Sequence, residues 1–269
     1  MTELAPESGG LERLKTLLRK APGATLLRFL YQLRSEKGRH LALLAIERPN
    51  GLFQPEPTTA EDRYPELFRF VRGHIGDGPE RRILSFGCST GEEVFSLRRY
   101  FPTARIKGID IGRLNVRTCR KRLARLGGDP GLSFETAGSA AREPTAHYDA
   151  IFAMAVFRHG WLGEAPPRCD HLIRFRDFER SVFELARSLK PGGLLVLRHA
   201  NFRFGDTATA AAFRRVHLAP SSGAPTPLYG PDDLLLPDGQ RDDGVYEKRN
   251  ATNLLDCATA ANRATIRGR

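Results

Sequence analysis

The 269-residue chain carries a formal net charge of +11 and 41% hydrophobic residues, which suits one large domain, or a principal domain with a smaller appendage, around a real core. No apolar run approaches the roughly 20 residues that span a bilayer, and the start MTELAPESGG lacks the basic-then-apolar order of a secretion signal. Cys88, Cys119, Cys169 and Cys257 lie far apart without paired-cysteine zinc spacing, so a reduced, cytoplasmic protein without a structural metal is expected.

Residues 1–10 read as a loose leader. Leu11, Leu14, Leu17 and Leu18 recur at helical spacing, and Pro22–Gly23 should end that helix. A second helical stretch covers 25–46 with a break near Gly38. The segment from Glu47 to Thr59, with Pro49, Gly51, Pro55 and Pro57, reads as a loop, and helix returns around Glu61–Ile75. The period then changes. Arg82–Phe86 reads as a strand, residues from about Gly91 to Arg99 as a helix, and Arg105–Ile109 as a second strand. Residues 113–126 predict a helix with Val116, Cys119, Leu123 and Leu126 on one side and Arg113, Arg117, Lys121 and Arg125 on the other. Leu132–Thr136 and Tyr148–Ala153 are expected to be the third and fourth strands. A helix over 176–189 closes at a Pro191–Gly193 turn, and Leu194–Arg198 follows as a strand. Ala208–Arg215 reads as helix, 221–243 as turns and Gly244–Lys248 as a late strand. This alternation calls for a mostly parallel sheet with helices on both faces. The expected division is a helical lid or cap over 1–75 and an α/β domain over 76–269.

The sharpest segment is Arg82-Ile-Leu-Ser-Phe-Gly-Cys-Ser-Thr-Gly-Glu-Glu93, an apolar strand that enters a small-residue turn and leaves as a helix. Gly87 and Gly91 remove side chains where a ligand must approach the backbone, and the helix start offers unpaired amides. Asp110 ends the next strand about twenty residues on, where a carboxylate can accept ribose hydroxyls. The turn lacks both the close G-x-G-x-x-G that cradles a pyrophosphate and the Gly-Lys-Ser/Thr ending of a P-loop.

ILSFGCSTGEEVFSL resembles motif I of class I S-adenosylmethionine-dependent methyltransferases, and its Gly-Cys-Ser-Thr-Gly-Glu-Glu core resembles the chemotaxis-receptor (protein-glutamate) methyltransferases. The likeness continues through Gly108-Ile-Asp-Ile111, Tyr148-Asp-Ala-Ile-Phe152 and Leu189-Lys-Pro-Gly-Gly-Leu194, covering about 82–200 in family order. It implies a Rossmann-like, seven-stranded methyltransferase sheet. Ser85, Phe86, Gly87, Cys88, Ser89 and Gly91 would then line the donor, S-adenosyl-L-methionine, which leaves as S-adenosyl-L-homocysteine. Asp110 would hold its ribose, Ile111 would pack on its adenine, and Gly138, Ser139 and Ala140 would form the loop beside that base. Ala153 and Met154 would border the methyl-transfer pocket. The chemotaxis enzymes follow their fourth strand with Arg-Asn-Val, whereas Ala153-Met-Ala-Val-Phe157 stands here, and their β-rich docking insert has no counterpart.

His159 is the first candidate for a general base, since it follows the fourth strand and imidazole titrates near neutrality; His199 follows the fifth. Phe157, Arg158, Asn201, Arg203 and Tyr229 are substrate-side candidates, with Tyr31 and Arg34 joining them if the N-terminal helices close over the site. No metal-ligand spacing is visible, which favours metal-independent transfer. The leading expectation is methylation of a small molecule, in its sharpest form O-methylation of an acidic metabolite. A protein or peptide methyltransferase, a non-catalytic S-adenosylmethionine-binding or scaffold protein, and a nucleic-acid methyltransferase are the alternatives. The basic helix face over 113–125 is the argument for nucleic acid, but a solvated amphipathic helix needs no such partner. No membrane partner is expected, and oligomeric state stays open.

Overall fold

The computed structural model describes residues 34–47, 49, 51–57, 59–219 and 226–249. The chain divides into two units, Met1–Glu47 and Arg48–Arg269. The expected leader and the first helix, over 11–18, lie outside the described residues. In the first unit, helix α1 (Glu36–Glu47) begins where the sequence suggests a break. Ser35 Oγ accepts from the Gly38 amide at 2.9 Å, so a serine cap starts a helix that runs through the glycine. No helix among the described residues is long and apolar enough to cross a membrane.

The second unit opens with α2 (Pro65–Ile75), whose proline occupies the first turn, where its missing amide costs nothing. Then follow β1 (Arg82–Phe86), α3 (Glu92–Tyr100), β2 (Arg105–Asp110), α4 (Arg113–Arg125), β3 (Leu132–Thr136), β4 (Tyr148–Met154), α5 (Phe175–Ser188), β5 (Leu189–Arg198), β6 (Phe213–Leu218) and β7 (Gly244–Lys248). The seven strands lie in the order β3-β2-β1-β4-β5-β7-β6. The first five are parallel, and β7 runs antiparallel to both β5 and β6.

Period-two alternation sends successive strand residues to opposite faces. Leu84, Ile151 and Leu195 pack with Phe178, Val182 and Leu185 of α5. Ile83, Phe152 and Val196 pack on the other face with Val71 of α2 and Val94 and Leu97 of α3. Both faces are covered, which is why β4 is buried from end to end.

Three expectations change. Ala208–Arg215 does not form an α-helix: a 3₁₀ segment, Ala208–Ala212, gives way to edge strand β6. Strand β5 starts at Leu189, with the Pro191–Gly193 turn absorbed as an irregularity opposite Tyr148–Ala150. Leu126, expected on the buried side of α4, is exposed because the helix has ended beneath it.

Candidate active site

The chain order reverses between β1 and β4, which are neighbours, and ligands of open α/β sheets bind beyond the carboxyl ends of the strands at such a switch. The Gly87–Gly91 turn stands at that point. Gly87 and Gly91 have φ of +74° and +96°, a region that favours glycine. The amides of Gly87 and Cys88 both donate to Ile109 O, at 2.9 and 3.0 Å, lashing the turn to the end of β2. No side chain caps the N-terminus of α3, so its first-turn amides face the same mouth. Ser89 Oγ is buried without a hydrogen-bond partner.

Asp110 is almost wholly buried. Its Oδ2 accepts from Ser89 N at 2.8 Å, and its Oδ1 from Gly112 N at 2.8 Å and Asn115 Nδ2 at 3.0 Å. A carboxylate offers about four lone-pair sites, so these three protein donors leave room for roughly one more. Asp110 therefore holds the turn in shape as well as ending β2.

Some sequence-expected cofactor residues turn inward. Phe86 stacks on Phe157 with ring centroids 5.6 Å apart, and Cys88 is buried toward α3 and β2. Ser139 Oγ donates to Glu184 Oε2 at 2.7 Å, tying the loop after β3 to α5. Gly138 O comes within 3.1 Å of where a side chain at Gly51 would begin. Ile111 is half-buried, and Ala153 and Met154 are buried at the end of β4.

The substrate-side candidates separate into struts and groups that remain available. Phe157 is enclosed by Phe53, Phe86 and Phe178. Asn201 is fully buried: its Oδ1 accepts from His159 N (2.8 Å) and its Nδ2 donates to Pro227 O (2.7 Å), clipping three loops together. Tyr229 is buried with its hydroxyl donating to Pro166 O (3.0 Å), and Arg203 Nε pairs with Asp206 (2.9 Å). Arg34 is exposed, and its carbonyl accepts from Arg39 Nη1 (3.0 Å); Tyr31 lies outside the described residues.

Neither histidine has the surroundings of a free base. His199 Nε2 accepts from Arg198 Nε at 3.3 Å, and burial with nearby arginines pulls its pKa down to about 4. His159 Nδ1 accepts from Trp161 N at 3.3 Å, and burial with His171 lowers its pKa too.

Glu93 was not singled out by the sequence, although its place in the first turn of α3 is a legible signal, because acids favour helix N-termini. Ser85 Oγ donates to its Oε1 at 2.7 Å. Protein packed around this carboxyl pushes its pKa up to about 7, against the opposing effects of Ser85 and Arg63. Arg63, Tyr64 and Arg241 also went unmarked, since a loop residue gives no periodic signal of where it folds.

Residues 84–195 match the model of a methyltransferase domain. Among curated proteins, the trans-aconitate 2-methyltransferase of Rhodopseudomonas palustris (strain BisB18) is 32% identical over 138 residues, covering 51% of this chain and 46% of that protein. The malonyl-[acyl-carrier protein] O-methyltransferase 1 of Ilyobacter polytropus is 28% identical over 164 residues, covering 55% and 59%. The chain thus spans about half the length of the curated relatives it matches. Among solved structures, the geranyl diphosphate C-methyltransferase of Streptomyces coelicolor A3(2) has a TM-score of 0.37 at 18% identity over 49% of this chain and 43% of that one. Strand order and the glycine turn agree with the matched segment: residues 84–195, which match a methyltransferase domain, lie on this seven-stranded sheet.

Proposed function

We propose that this chain transfers the methyl group of S-adenosylmethionine to an oxygen of a small carboxylic acid. The carrying observation is the glycine turn at the switch point, closed on Asp110 and backed by Glu93. The fit to the donor is good: positive-φ glycines admit it to the backbone, and the orphaned Ser89 Oγ needs a partner. Asp110 keeps acceptor capacity for a ribose hydroxyl, the half-buried Ile111 would pack on the adenine, and the loop at Gly138 and Ala140 would border its edge. Glu93 suits the donor's ammonium group, and Arg63, whose charge acts on Glu93, suits the adjoining carboxylate.

The donor supplies an activated sulfonium methyl. An acceptor carboxylate oxygen attacks that carbon as the C–S bond breaks and its electron pair goes to sulfur. No proton is removed, so the chain's task is alignment and exclusion of water. That demand matches a mouth whose histidine ring nitrogens already accept hydrogen bonds. The relatives are named for trans-aconitate and a malonyl thioester, both of which carry carboxylates. Receptor-glutamate methylation shares the chemistry, but its likeness stops at the motif-I region, and the described residues hold no β-rich docking insert. A carboxyl methyl ester is cleaved by alkali. With methyl-labelled donor and a panel of small acids, the label should become volatile as methanol after alkaline treatment; alkali-stable label would reject transfer to a carboxylate.

A further inference from the structure

Beyond the glycine turn, a second group of polar side chains gathers over the ends of β4 and β5. Arg158 follows β4 by four residues, and the backbone around it is fixed by Asn201, which donates to Phe157 O and accepts from His159 N. The guanidinium Nε of Arg158 is buried without a hydrogen-bond partner, and Arg158 forms no ion pair among the described residues. Tyr64, 6% exposed, likewise buries a hydroxyl with no partner. The Tyr64 ring lies 5.1 Å from the Arg198 guanidinium, 5.2 Å from that of Arg63 and 5.8 Å from the His199 ring. Arg63, Tyr64 and Arg241 are the groups whose fields reach Arg158.

No carboxylate among the described residues pairs with Arg158. Arg241 is paired with Asp243, and Arg198 comes within 3.9 Å of Glu66. Glu93 lies on the Arg63 side and is easily protonated near neutrality. Arg158 is left over. A buried guanidinium Nε or phenol hydroxyl without a partner costs free energy that a bound group must return. An anion returns it for both at once, because the guanidinium fork matches a carboxylate and a phenol donates to one.

Two carboxylates could answer this description: the donor's own amino-acid carboxylate, or one on the acceptor. The placement favours the acceptor. Arg241 donates to Ala200 O just past β5, and Tyr64 packs against His199, so the group reaches over the end of β5, with Glu93 and the turn between β1 and α3 on its Arg63 side. We infer that Arg158 and Tyr64 form an anion receptor for the acceptor, which therefore carries a carboxylate to be anchored in addition to the one that is methylated. This rests on the methyltransferase reading for the second carboxylate's fate, but the receptor itself is testable without turnover.

The test is calorimetric, on the full chain with and without S-adenosylhomocysteine, using tricarballylate, glutarate and the monoacid butyrate as probes. The polyacids should bind at least about tenfold more tightly than butyrate, an anchored charge being worth on the order of 1.4 kcal/mol or more. Arg158→Gln should abolish that preference, Arg158→Lys should restore part of it, and Tyr64→Phe should weaken polyacid binding several-fold. All three variants should hold S-adenosylhomocysteine as the parent does. Unchanged polyacid binding in Arg158→Gln, or no preference over butyrate in the parent, overturns the inference. So does loss of S-adenosylhomocysteine with retention of methylthioadenosine in Arg158→Gln, which would assign Arg158 to the donor's carboxylate. Polyacid binding that depends on Arg158 in a protein unable to bind S-adenosylhomocysteine would leave the receptor standing and reject the proposed function instead.

Discussion

Glu93 sits where a helix start, a buried serine and Arg63 meet, and its carboxyl titrates near pH 7. Its folded-state pKa is raised above the usual 4.5, so the folded chain holds this proton more tightly than the unfolded one. The resulting stability is fully present below about pH 4.5 and is lost as pH rises through about 7. Glu93→Gln should therefore raise the unfolding free energy of the unliganded protein at pH 8 by on the order of 2 kcal/mol, discounted for the side chain's partial solvent exposure, and do little at pH 4. The same substitution should weaken S-adenosylhomocysteine by about tenfold or more at pH 8, since a charge-assisted bond to the ammonium is lost. The parent should lose affinity between pH 8 and pH 6 as Glu93 takes up its proton, and the variant should not. Denaturation and titration at the two pH values check both halves. At this scale the sequence was a partial guide. It marked Ser85 and Asp110 by position in a motif, but it could not show that Asn201 and Tyr229 spend their polar atoms on backbone carbonyls.

The turn between β1 and α3 was the most legible element, because an apolar strand, two glycines and a helix start leave few alternatives. Its geometry explains Gly87. A side chain there would begin 2.5 Å from Val156 Cγ2, and the backbone has φ of +74°. Gly87→Ala should cost about 2–3 kcal/mol, combining strain at positive φ with the clash. Val156→Ala should recover the steric part and leave the backbone part, so thermal unfolding of the single and double variants separates the two. Strand β6 was less legible. Ala208-Thr-Ala-Ala-Ala212 favours helix locally, yet the following Phe213-Arg-Arg-Val-His-Leu218 pairs antiparallel with β7. Tertiary pairing overrides local propensity there, and no local pattern announces it. Strand β5 shows the converse: Pro191 and Gly192 form the expected irregularity, but the ladder to β4 begins before them at Tyr148 and Leu189.

Across the whole molecule, the basic excess is partly structural. Arg98 donates to Phe101 O and Ala104 O, Arg120 to Phe134 O, and Arg187 to Ala140 O, Ala141 O and Glu143 O. Guanidinium groups that cap backbone carbonyls add charge without requiring an anionic partner. The alternation of strands and helices foretold the parallel sheet, and only long-range pairing fixed the antiparallel β7 and β6. That sheet places the turn, Asp110 and Glu93 at one switch point, and donor binding there is the claim from which the rest follows. Calorimetric titration of the folded chain with S-adenosylhomocysteine tests it most directly. Saturable binding at one site per chain, weakened by Glu93→Gln, is the expected result. No heat of binding at several temperatures, from protein shown to be folded, would contradict it.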